Sequence, residues 1–423
     1  MSSTATGRRV AARCVSDRDP AVPVSPDPPA PAAPARAEHA APADAASGAG
    51  TAKGPRLPYL DAARGLCVLA VVLVHLDYFH AFPLTGDPAG MPVLKAWEIL
   101  NLTVLAQLRM PLLLLLSGWL AASKVRAGLR SGRTRWAIVR NVHLVVVWTV
   151  VYVVVERLVA PGPRAVATAH TESLTGLLGE IALPTFGPLW FVHLLAVCLV
   201  VLAAARRLPP ALVLIALLLV GWAIERATGD PAGLPRAVFF AAGVYLAPRL
   251  PHLVRSRRAV AAAIPATLGF GALYAVAPES VQYPLDVATC LPLALLALAG
   301  MAWVTRRPLG LRLSRPLSWV GRRTLGVYVL HWPIVGIIAV MARRNADDFG
   351  WLYRDTALAI AYPLALTALI AAACIALEAG LKRAGLGILF EPPARLQRAV
   401  DPASAGTGQS RRGSRATSST VPG

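Results

Sequence analysis

Between about residues 56 and 385 the chain alternates long apolar stretches with short polar loops. Ten stretches are long enough, or nearly so, to cross a hydrocarbon core of about 30 Å at about 1.5 Å per residue. They lie near residues 59–80, 101–122, 141–160, 188–204, 211–227, 234–250, 260–278, 286–304, 318–341 and 356–380. The pattern therefore predicts an all-α, polytopic integral membrane protein with about ten transmembrane helices.

The two ends of the chain have a different composition. Residues 1–55 are rich in Ala and Pro with scattered charge, and residues 385–423 become rich in Ser, Arg and Gly. Such segments bury too little apolar surface to fold, so both are predicted to be disordered tails around a membrane domain of residues 56–384. The first tail has no apolar core of the kind found in cleavable signal peptides.

Positive charge alternates from loop to loop. The loops after the second, fourth, sixth and eighth stretches carry most of the basic loop residues: Lys124, Arg126, Arg130, Arg133, Arg135, Arg206, Arg207, Arg249, Arg255, Arg257, Arg258, Arg306, Arg307, Arg312 and Arg315. The intervening loops hold most of the acidic ones. Because Lys and Arg are retained on the inner side of a membrane, this alternation predicts that both termini are cytoplasmic and that the protein is a multi-pass protein of the cell (plasma) membrane.

Composition narrows the class further. Of 423 residues, 56% are hydrophobic and 15% are charged, which excludes a soluble domain of this size. The net charge of +20 lies in short loops and tails without interleaved aromatic residues, so it indicates attraction to anionic lipid rather than to nucleic acid. Five cysteines without a CxxC pair indicate neither a disulfide framework nor a zinc site, and no metal is predicted.

The first apolar helix carries three ionisable residues, Asp61, Arg64 and His75. An ionisable group at the centre of a membrane helix costs at least about 2.5 kcal/mol, so it usually faces a bundle interior or a wet cavity. The eleven-residue step from Arg64 to His75 returns to within about 20° of the same face, about 16 Å further along. Asp61 is within i,i+3 reach of Arg64. The shared face favours a polar cavity. The alternative is that Asp61 and Arg64 are interfacial and that His75 bonds a neighbouring helix.

The ninth stretch contains "GRRTLGVYVLHWPIV", with Tyr328 and His331 at i,i+3 followed by Pro333. Proline frees a carbonyl one turn back and kinks the helix, which opens space at that depth. This pattern favours a second contribution to the polar cavity. The alternative is a packing kink with an aromatic anchor at the outer surface.

Two further places are weaker candidates. "WAIVRNVHLVVVW" puts Arg140 and His143 on one face at the start of the third stretch, where positive-inside anchoring is the simpler explanation for the arginine. "GPLWFVHLL" puts Trp190 at the outer start of the fourth stretch, where a tryptophan ordinarily belongs to the interfacial belt.

Four of these stretches together resemble one family. "RLPYLDAARGLCVLAVVLVH", "MPLLLLLSGWL", "GPLWFVHLL" and "RTLGVYVLHWPI" occur in the order and spacing of the type-3 membrane acyltransferases, which include the O-antigen and peptidoglycan O-acetyltransferases. The resemblance spans about residues 56–380. The basic residue followed by His eleven positions later and the Tyr-x-x-His-x-Pro element are its most specific parts. In the second stretch, the small residues Ser117 and Gly118 are expected to let helices pack closely.

The resemblance implies a ten-helix enzyme that moves an acyl group, usually acetyl, from cytoplasmic acyl-CoA to an outer hydroxyl. His75 matches the family's essential histidine and Arg64 its paired basic residue. Arg140 matches the first member of an Arg-x-x-Arg element whose second member is here His143. The imidazole of His143 is a weaker and pH-dependent partner for CoA phosphates than a guanidinium. Acyl-CoA is thus a donor substrate, and no bound cofactor is implied.

A membrane-bound O-acyltransferase is the function that the resemblance implies. His75 is the predicted catalytic residue, as general base or as acyl-carrying nucleophile. The side chains predicted to bind the donor or line the cavity are Arg64, Asp61, Arg140, His143, Tyr328, His331 and Trp190. The acceptor is an extracytoplasmic or lipid-linked glycan or glycosylated metabolite. The rival is a transporter or flippase, since ten helices with a polar stripe suit transport equally well. A membrane scaffold would leave the Arg64–His75 stripe unexplained.

Overall fold

The architecture is that of a computed structural model. It describes residues 57–81, 91–159, 173–182, 188–228, 233–345 and 350–401. The predicted tails at 1–55 and, from 402 onward, at the other end lie outside the described residues.

The described residues contain fifteen α-helices and no strand. Their bounds are α1 Pro58–Leu76, α2 Pro92–Ile99, α3 Ala106–Ala127, α4 Gly132–Val159, α5 Leu174–Ala182, α6 Trp190–Ala204, α7 Pro210–Thr228, α8 Ala237–Leu246, α9 Leu250–Arg255, α10 Arg257–Val276, α11 Glu279–Arg306, α12 Pro308–Gly321, α13 Thr324–Arg344, α14 Thr356–Arg383 and α15 Ala394–Val400. α1 and α2 each continue into a π-helical turn, Asp77–Ala81 and Leu100–Val104. Three 3₁₀ turns occupy Leu234–Arg236, Gly350–Tyr353 and Leu386–Leu389.

Every predicted apolar stretch corresponds to a helix. In the described part of the chain, eight helices are long and apolar enough to cross a membrane, and the shorter apolar segments at Trp190–Ala204 and Leu234–Leu246 bring the total to ten. The all-α, polytopic membrane prediction is therefore confirmed. The ninth span begins at Thr324 rather than near 318, because the preceding residues form a separate helix, α12, that ends at Gly321.

α1 is the central helix of the bundle, and it packs against α3, α11, α12, α13 and α14. Its contact with α12 depends on two glycines. A Cβ on Gly65 would collide with the carbonyl of Leu317, and one on Gly321 would collide with the carbonyl of Asp61. The two backbones therefore approach more closely than any larger residue permits. α12 lies in what hydropathy alone marks as a basic loop, yet its small-residue face is buried.

The expected close packing at Gly118 is also present. A Cβ at this position of α3 would meet the backbone of Phe240 on α8, and a Cβ on Gly243 of α8 would meet the backbone of Leu115 on α3. Two glycines thus face each other across the α3–α8 crossing, as small residues do at close helix contacts in membranes.

Three prolines inside helices leave backbone carbonyls without an intrahelical hydrogen bond, and aromatic side chains donate to these carbonyls instead. Proline lacks the N–H that would bond the carbonyl four residues earlier, and in a membrane that oxygen needs a partner from the protein. The freed carbonyls and their donors, with donor–acceptor distances, are Val329 with Tyr152 Oη at 2.8 Å, Ala359 with Trp97 Nε1 at 2.9 Å, and Ser280 with Trp222 Nε1 at 2.6 Å. The corresponding prolines are Pro333, Pro363 and Pro284. The carbonyl predicted to be freed in the ninth stretch is therefore present and is bonded.

Replacing Tyr152 with phenylalanine tests this interaction. Tyr152→Phe removes the hydroxyl and leaves the buried Val329 carbonyl without a donor, which is expected to destabilise the protein by about 1–3 kcal/mol. The measurement is thermal unfolding of the purified protein in nanodiscs. Trp303→Phe is the control, since Trp303 is largely exposed and lies outside this interaction. An unchanged melting temperature for Tyr152→Phe contradicts the prediction.

Residues 386–401 pack onto the bundle. Phe390 is fully buried, Trp148 Nε1 donates to the Leu389 carbonyl at 2.7 Å, and His143 Nε2 donates to the Ile388 carbonyl at 2.7 Å. The second tail was predicted to begin at residue 385, whereas the structure has residues 386–401 packed against the bundle. The reason is the apolar "LGILF" segment, which is too short to mark a span but docks against α4.

Candidate active site

His75 of α1 and His331 of α13 meet in the membrane bundle. His331 Nε2 lies 3.1 Å from His75 Nδ1, and the ring centroids are 5.1 Å apart. His331 is fully buried, whereas His75 is half-buried. The two helices share a second contact about three turns away along α1, where Arg64 Nη2 donates to Thr324 Oγ1 at 2.8 Å. The face of α1 that carries Arg64 and His75 therefore packs against α13.

The hydrogen bonds determine the tautomer of a neutral pair. His331 Nδ1 lies 3.0 Å from the Val327 carbonyl, which can only accept, so this nitrogen carries the proton. His331 Nε2 is then a lone-pair acceptor, and His75 Nδ1 must donate to it. His75 Nε2 is consequently left with its lone pair. The tautomers of both histidines thus follow from their hydrogen-bond partners, starting from the Val327 carbonyl.

Aromatic rings enclose the histidine pair. Trp332 stands edge-on to His75 with centroids 5.1 Å apart, and Phe79 stacks against it at 6.3 Å. On the other side, the ring of Tyr328 lies 5.9 Å from that of His331. Such a wall limits the access of water to the imidazoles and sharpens electrostatic interactions within the site.

Tyr328 is anchored on the side away from His75. Its hydroxyl donates to the carbonyl of Pro188, just before α6, and its ring contacts Phe191 at 5.1 Å. Phe191 in turn contacts Trp190 edge-to-face at 6.2 Å. Trp190 is thus connected to the histidine pair through two rings, although it does not touch His75.

A second polar network follows His75 along α1. The π-helical turn Asp77–Ala81 begins two residues after His75, and the turn Leu100–Val104 lies beside it. Asn101 Nδ2 donates to Asp77 Oδ2, and Arg109 Nη1 donates to the Asn101 carbonyl at 2.6 Å. Arg109 interacts electrostatically with both His75 and Asp77. π-Helical turns are frequent at functional sites, and here two of them bring buried polar groups together.

Asp61 and Arg64 interact electrostatically. Among the described residues no ion pair joins them, and the guanidinium donates a hydrogen bond to Thr324 at the start of α13. The close contact of α1 with α12 and α13 brings Thr324 within reach of Arg64. Arg64 Nε is buried and has no hydrogen-bond partner among the described residues.

Arg140 and His143 lie elsewhere on the bundle. Arg140 is exposed on α4 near the basic loop, and His143 is bonded to the Ile388 carbonyl as described above. The structure therefore brings His75, His331 and Tyr328 together, reaches Trp190 through Phe191, and leaves Arg140 and His143 outside this cluster. Among the described residues, no three His, Cys, Asp or Glu side chains are arranged as a metal site.

Sequence reasoning missed Trp332, Phe79 and Arg109. Trp332 is the residue after His331 in the quoted motif. Arg109 is an isolated charged residue just before "MPLLLLL", and an ionisable residue within a membrane segment generally indicates a functional site. Phe79 carries no such signal, because one phenylalanine in an apolar helix is ordinary.

Most of the chain matches the model of one protein family. The model of the acyltransferase 3 family, described as an acyltransferase domain, matches residues 57–378, which is most of the chain. Searches of curated proteins and of solved structures gave no match. The matched range contains α1 to α13 and most of α14, with both histidines of the pair. Between the two predicted activities, the match supports acyl transfer rather than transport. The chain therefore belongs to the acyltransferase 3 family and is a multi-pass membrane acyltransferase.

Proposed function

We propose that this acyltransferase moves an acyl group from acyl-CoA, on the cytoplasmic side, to a hydroxyl of an extracytoplasmic or lipid-linked glycan or glycosylated metabolite. Acetyl is the acyl group that the sequence resemblance implies. The observation that carries the proposal is the His75–His331 hydrogen bond, because it leaves His75 Nε2 with a free lone pair in an enclosed polar site. The donor is assigned to the cytoplasmic side and the acceptor to the outer side because the alternating basic loops predict which ends of the helices face the cytoplasm.

The chemistry is an acyl transfer between a thioester and an alcohol. His75 Nε2 takes the proton of the acceptor hydroxyl, whose oxygen attacks the thioester carbonyl. The C–S bond then breaks, and the CoA thiolate leaves with the proton that the imidazolium returns. In the alternative route, the same nitrogen attacks the thioester first and carries the acyl group to the hydroxyl. Both routes need an unprotonated Nε2.

Arg109 contributes to the electrostatics of this step. Its guanidinium is held by the Asn101 carbonyl and interacts electrostatically with His75. Within the proposed mechanism, a cation that acts on His75 also stabilises the negative charge that develops on the thioester oxygen held there, and such fixed charges have their largest effect in a water-poor site. We assign Arg109 this role within the proposed mechanism.

Donor binding is assigned to the inner end of α1. Arg64 is cationic, lies about 16 Å from His75 along the helix, and has a buried Nε donor that no described protein group satisfies. A phosphate or carbonyl of the donor would accept from it.

Substitutions at Arg64 test this assignment. Arg64→Ala is expected to raise KM for acyl-CoA about 10–100-fold, since a charge-assisted hydrogen bond is worth about 1.5–3 kcal/mol. Arg64→Lys keeps the charge and is expected to lose much less. Steady-state kinetics of both Arg64 variants are measured in membranes. Thr324→Val is the control, because it removes only the hydrogen-bond partner of Arg64 within the protein. Equal losses for the lysine and alanine variants contradict a mainly electrostatic role.

The proposed function as a whole is tested with radiolabelled acetyl-CoA. Native membranes that contain the protein are compared with membranes from which it has been deleted. The expected result is protein-dependent release of CoA, with label appearing in a glycan or glycolipid fraction as a base-labile ester. Release of CoA without any labelled acceptor contradicts the acceptor class, and no protein-dependent use of acetyl-CoA contradicts acetyl as the transferred group.

A further inference from the structure

An apolar groove lies beside the histidine pair, between α4, α13 and the π-helical turn after α1. It is half-open, and its empty space is about 480 Å³ when the open space at its mouth is included. The residues that define this outer groove include Phe79, Val155, Trp332, Gly336, Ile337 and Val340. Among the described residues that line it, Glu156 alone is charged. Tyr152 also lines it, but its hydroxyl is already bonded to Val329.

The outer groove is adjacent to the reactive site, and two aromatic rings lie between them. Phe79 and Trp332 line the groove, and the same two rings contact His75 with centroids 6.3 and 5.1 Å away. They also contact each other edge-to-face at 5.1 Å. A chain attached to an atom held at His75 reaches the groove by passing these two rings.

The position of CoA at the inner end of α1 determines which chain enters the groove. With CoA held near Arg64, the thioester carbon reaches His75 from the inner side, and the acyl tail continues away from CoA. That direction leads along α13 from His331 to Val340, where the groove residues lie. Nine residues of helix span about 13 Å. A hydrocarbon chain with bonds of about 1.5 Å advances about 1.25 Å per bond, so the groove has the length of about ten carbons.

We propose that the outer groove binds the acyl chain of the donor and that the physiological acyl group is a medium chain of about six to ten carbons rather than acetyl. This inference rests on the proposed acyl-CoA-dependent function. Each methylene that leaves water for an apolar site strengthens binding about fourfold, or about 0.8 kcal/mol. A tail of several methylenes is therefore a stronger determinant of selectivity than the acetyl group.

One position of the groove can be filled without disturbing the fold. A Cβ on Gly336 meets no atom within 4 Å, so a larger side chain there enters open space. Gly300 on α11 offers a matched control, since its Cβ also meets nothing within 4 Å and it lies outside the groove lining.

The experiment measures CoA release from acetyl-, butyryl- and octanoyl-CoA by native membranes that carry each variant in place of the wild-type protein. The wild type is expected to show a kcat/KM at least tenfold higher for octanoyl-CoA than for acetyl-CoA. Gly336→Phe is expected to lose at least tenfold with octanoyl-CoA and to stay within about twofold with acetyl-CoA. Gly300→Phe is expected to leave both rates unchanged. Val340→Trp fills the same groove from the next turn and replaces Gly336→Phe if that variant fails to accumulate.

Two results overturn the inference while leaving the proposed function intact. One is a wild type that uses acetyl-CoA at least as well as octanoyl-CoA. The other is an equal loss with all three donors in the groove variants, which indicates that the groove holds the hydrocarbon part of a lipid acceptor. If the wild type consumes none of the three donors, the proposed function and the inference both fail.

Discussion

His75→Ala abolishes acyl transfer while the protein inserts and folds normally, according to the mechanism proposed here. General-base catalysis by a positioned imidazole is typically worth about 10²–10⁴-fold, and the alternative nucleophilic route requires the same nitrogen. The expected fall in kcat is therefore at least about 10²-fold. The side chain is half-buried beside Trp332 and Phe79, so its truncation leaves a small polar space rather than a collapsed core.

The measurement is the rate of CoA release at saturating donor, with folding monitored by monodisperse elution in detergent. His252→Ala is the matched control, because His252 is an exposed histidine on α9 away from the pair. Retained turnover in a properly inserted His75→Ala protein contradicts the catalytic assignment.

The second large effect concerns His331, which acts through His75. His331→Asn removes the acceptor that Nε2 supplies to His75 Nδ1, so His75 loses the side-chain partner that orients its ring. Loss of a partner that orients a reactive imidazole typically lowers activity about 10–100-fold. We expect a fall of this size in kcat with little change in KM for the donor.

His331→Gln separates positioning from packing. Its amide oxygen can occupy the region of the imidazole Nε2 and accept from His75, so it is expected to recover part of the activity lost in His331→Asn. Both variants disturb the fully buried position, and thermal unfolding records that shared cost. If the two variants are equally inactive and equally destabilised, His331 is a packing residue and the positioning role is wrong.

The membrane architecture could be predicted because its signals are local. A run of apolar residues marks a span wherever it lies, and all ten predicted stretches correspond to helices in the described chain. The boundaries that moved are those where a second helix adjoins the span, as at α12 before Thr324 and at the π-helical turn before α3. Hydropathy averages over such junctions, whereas hydrogen bonding distinguishes the two elements.

The segments that hydropathy missed are short and amphipathic. α12 buries Gly310, Ser314 and Ser318, a small-residue face with a four-residue period, within a stretch rich in arginine. Residues 386–390 dock through Phe390 and two backbone carbonyls. α12 was predicted as loop because its arginines lower its mean hydropathy, and residues 386–390 were predicted as tail because a carbonyl accepting from Trp148 or His143 leaves no trace in composition.

At the site, periodicity along α1 placed Arg64 and His75 on one face, and the structure shows that this face contacts α13. The choice between a cavity and a bond to a neighbouring helix was open from sequence. The structure contains the bond, and beside it the outer groove.

From the sequence alone it follows that the chain is a helical membrane protein, that its first helix carries one polar face, and that it resembles the acyltransferases. These properties depend on residues close together in the chain and on motifs within single helices. Three features required the folded structure: His331 is the partner of His75, Arg64 bonds Thr324, and an apolar groove adjoins the histidine pair. His75 and His331 are 256 residues apart, so their hydrogen bond, and the tautomer that follows from it, depends on how separate helices pack.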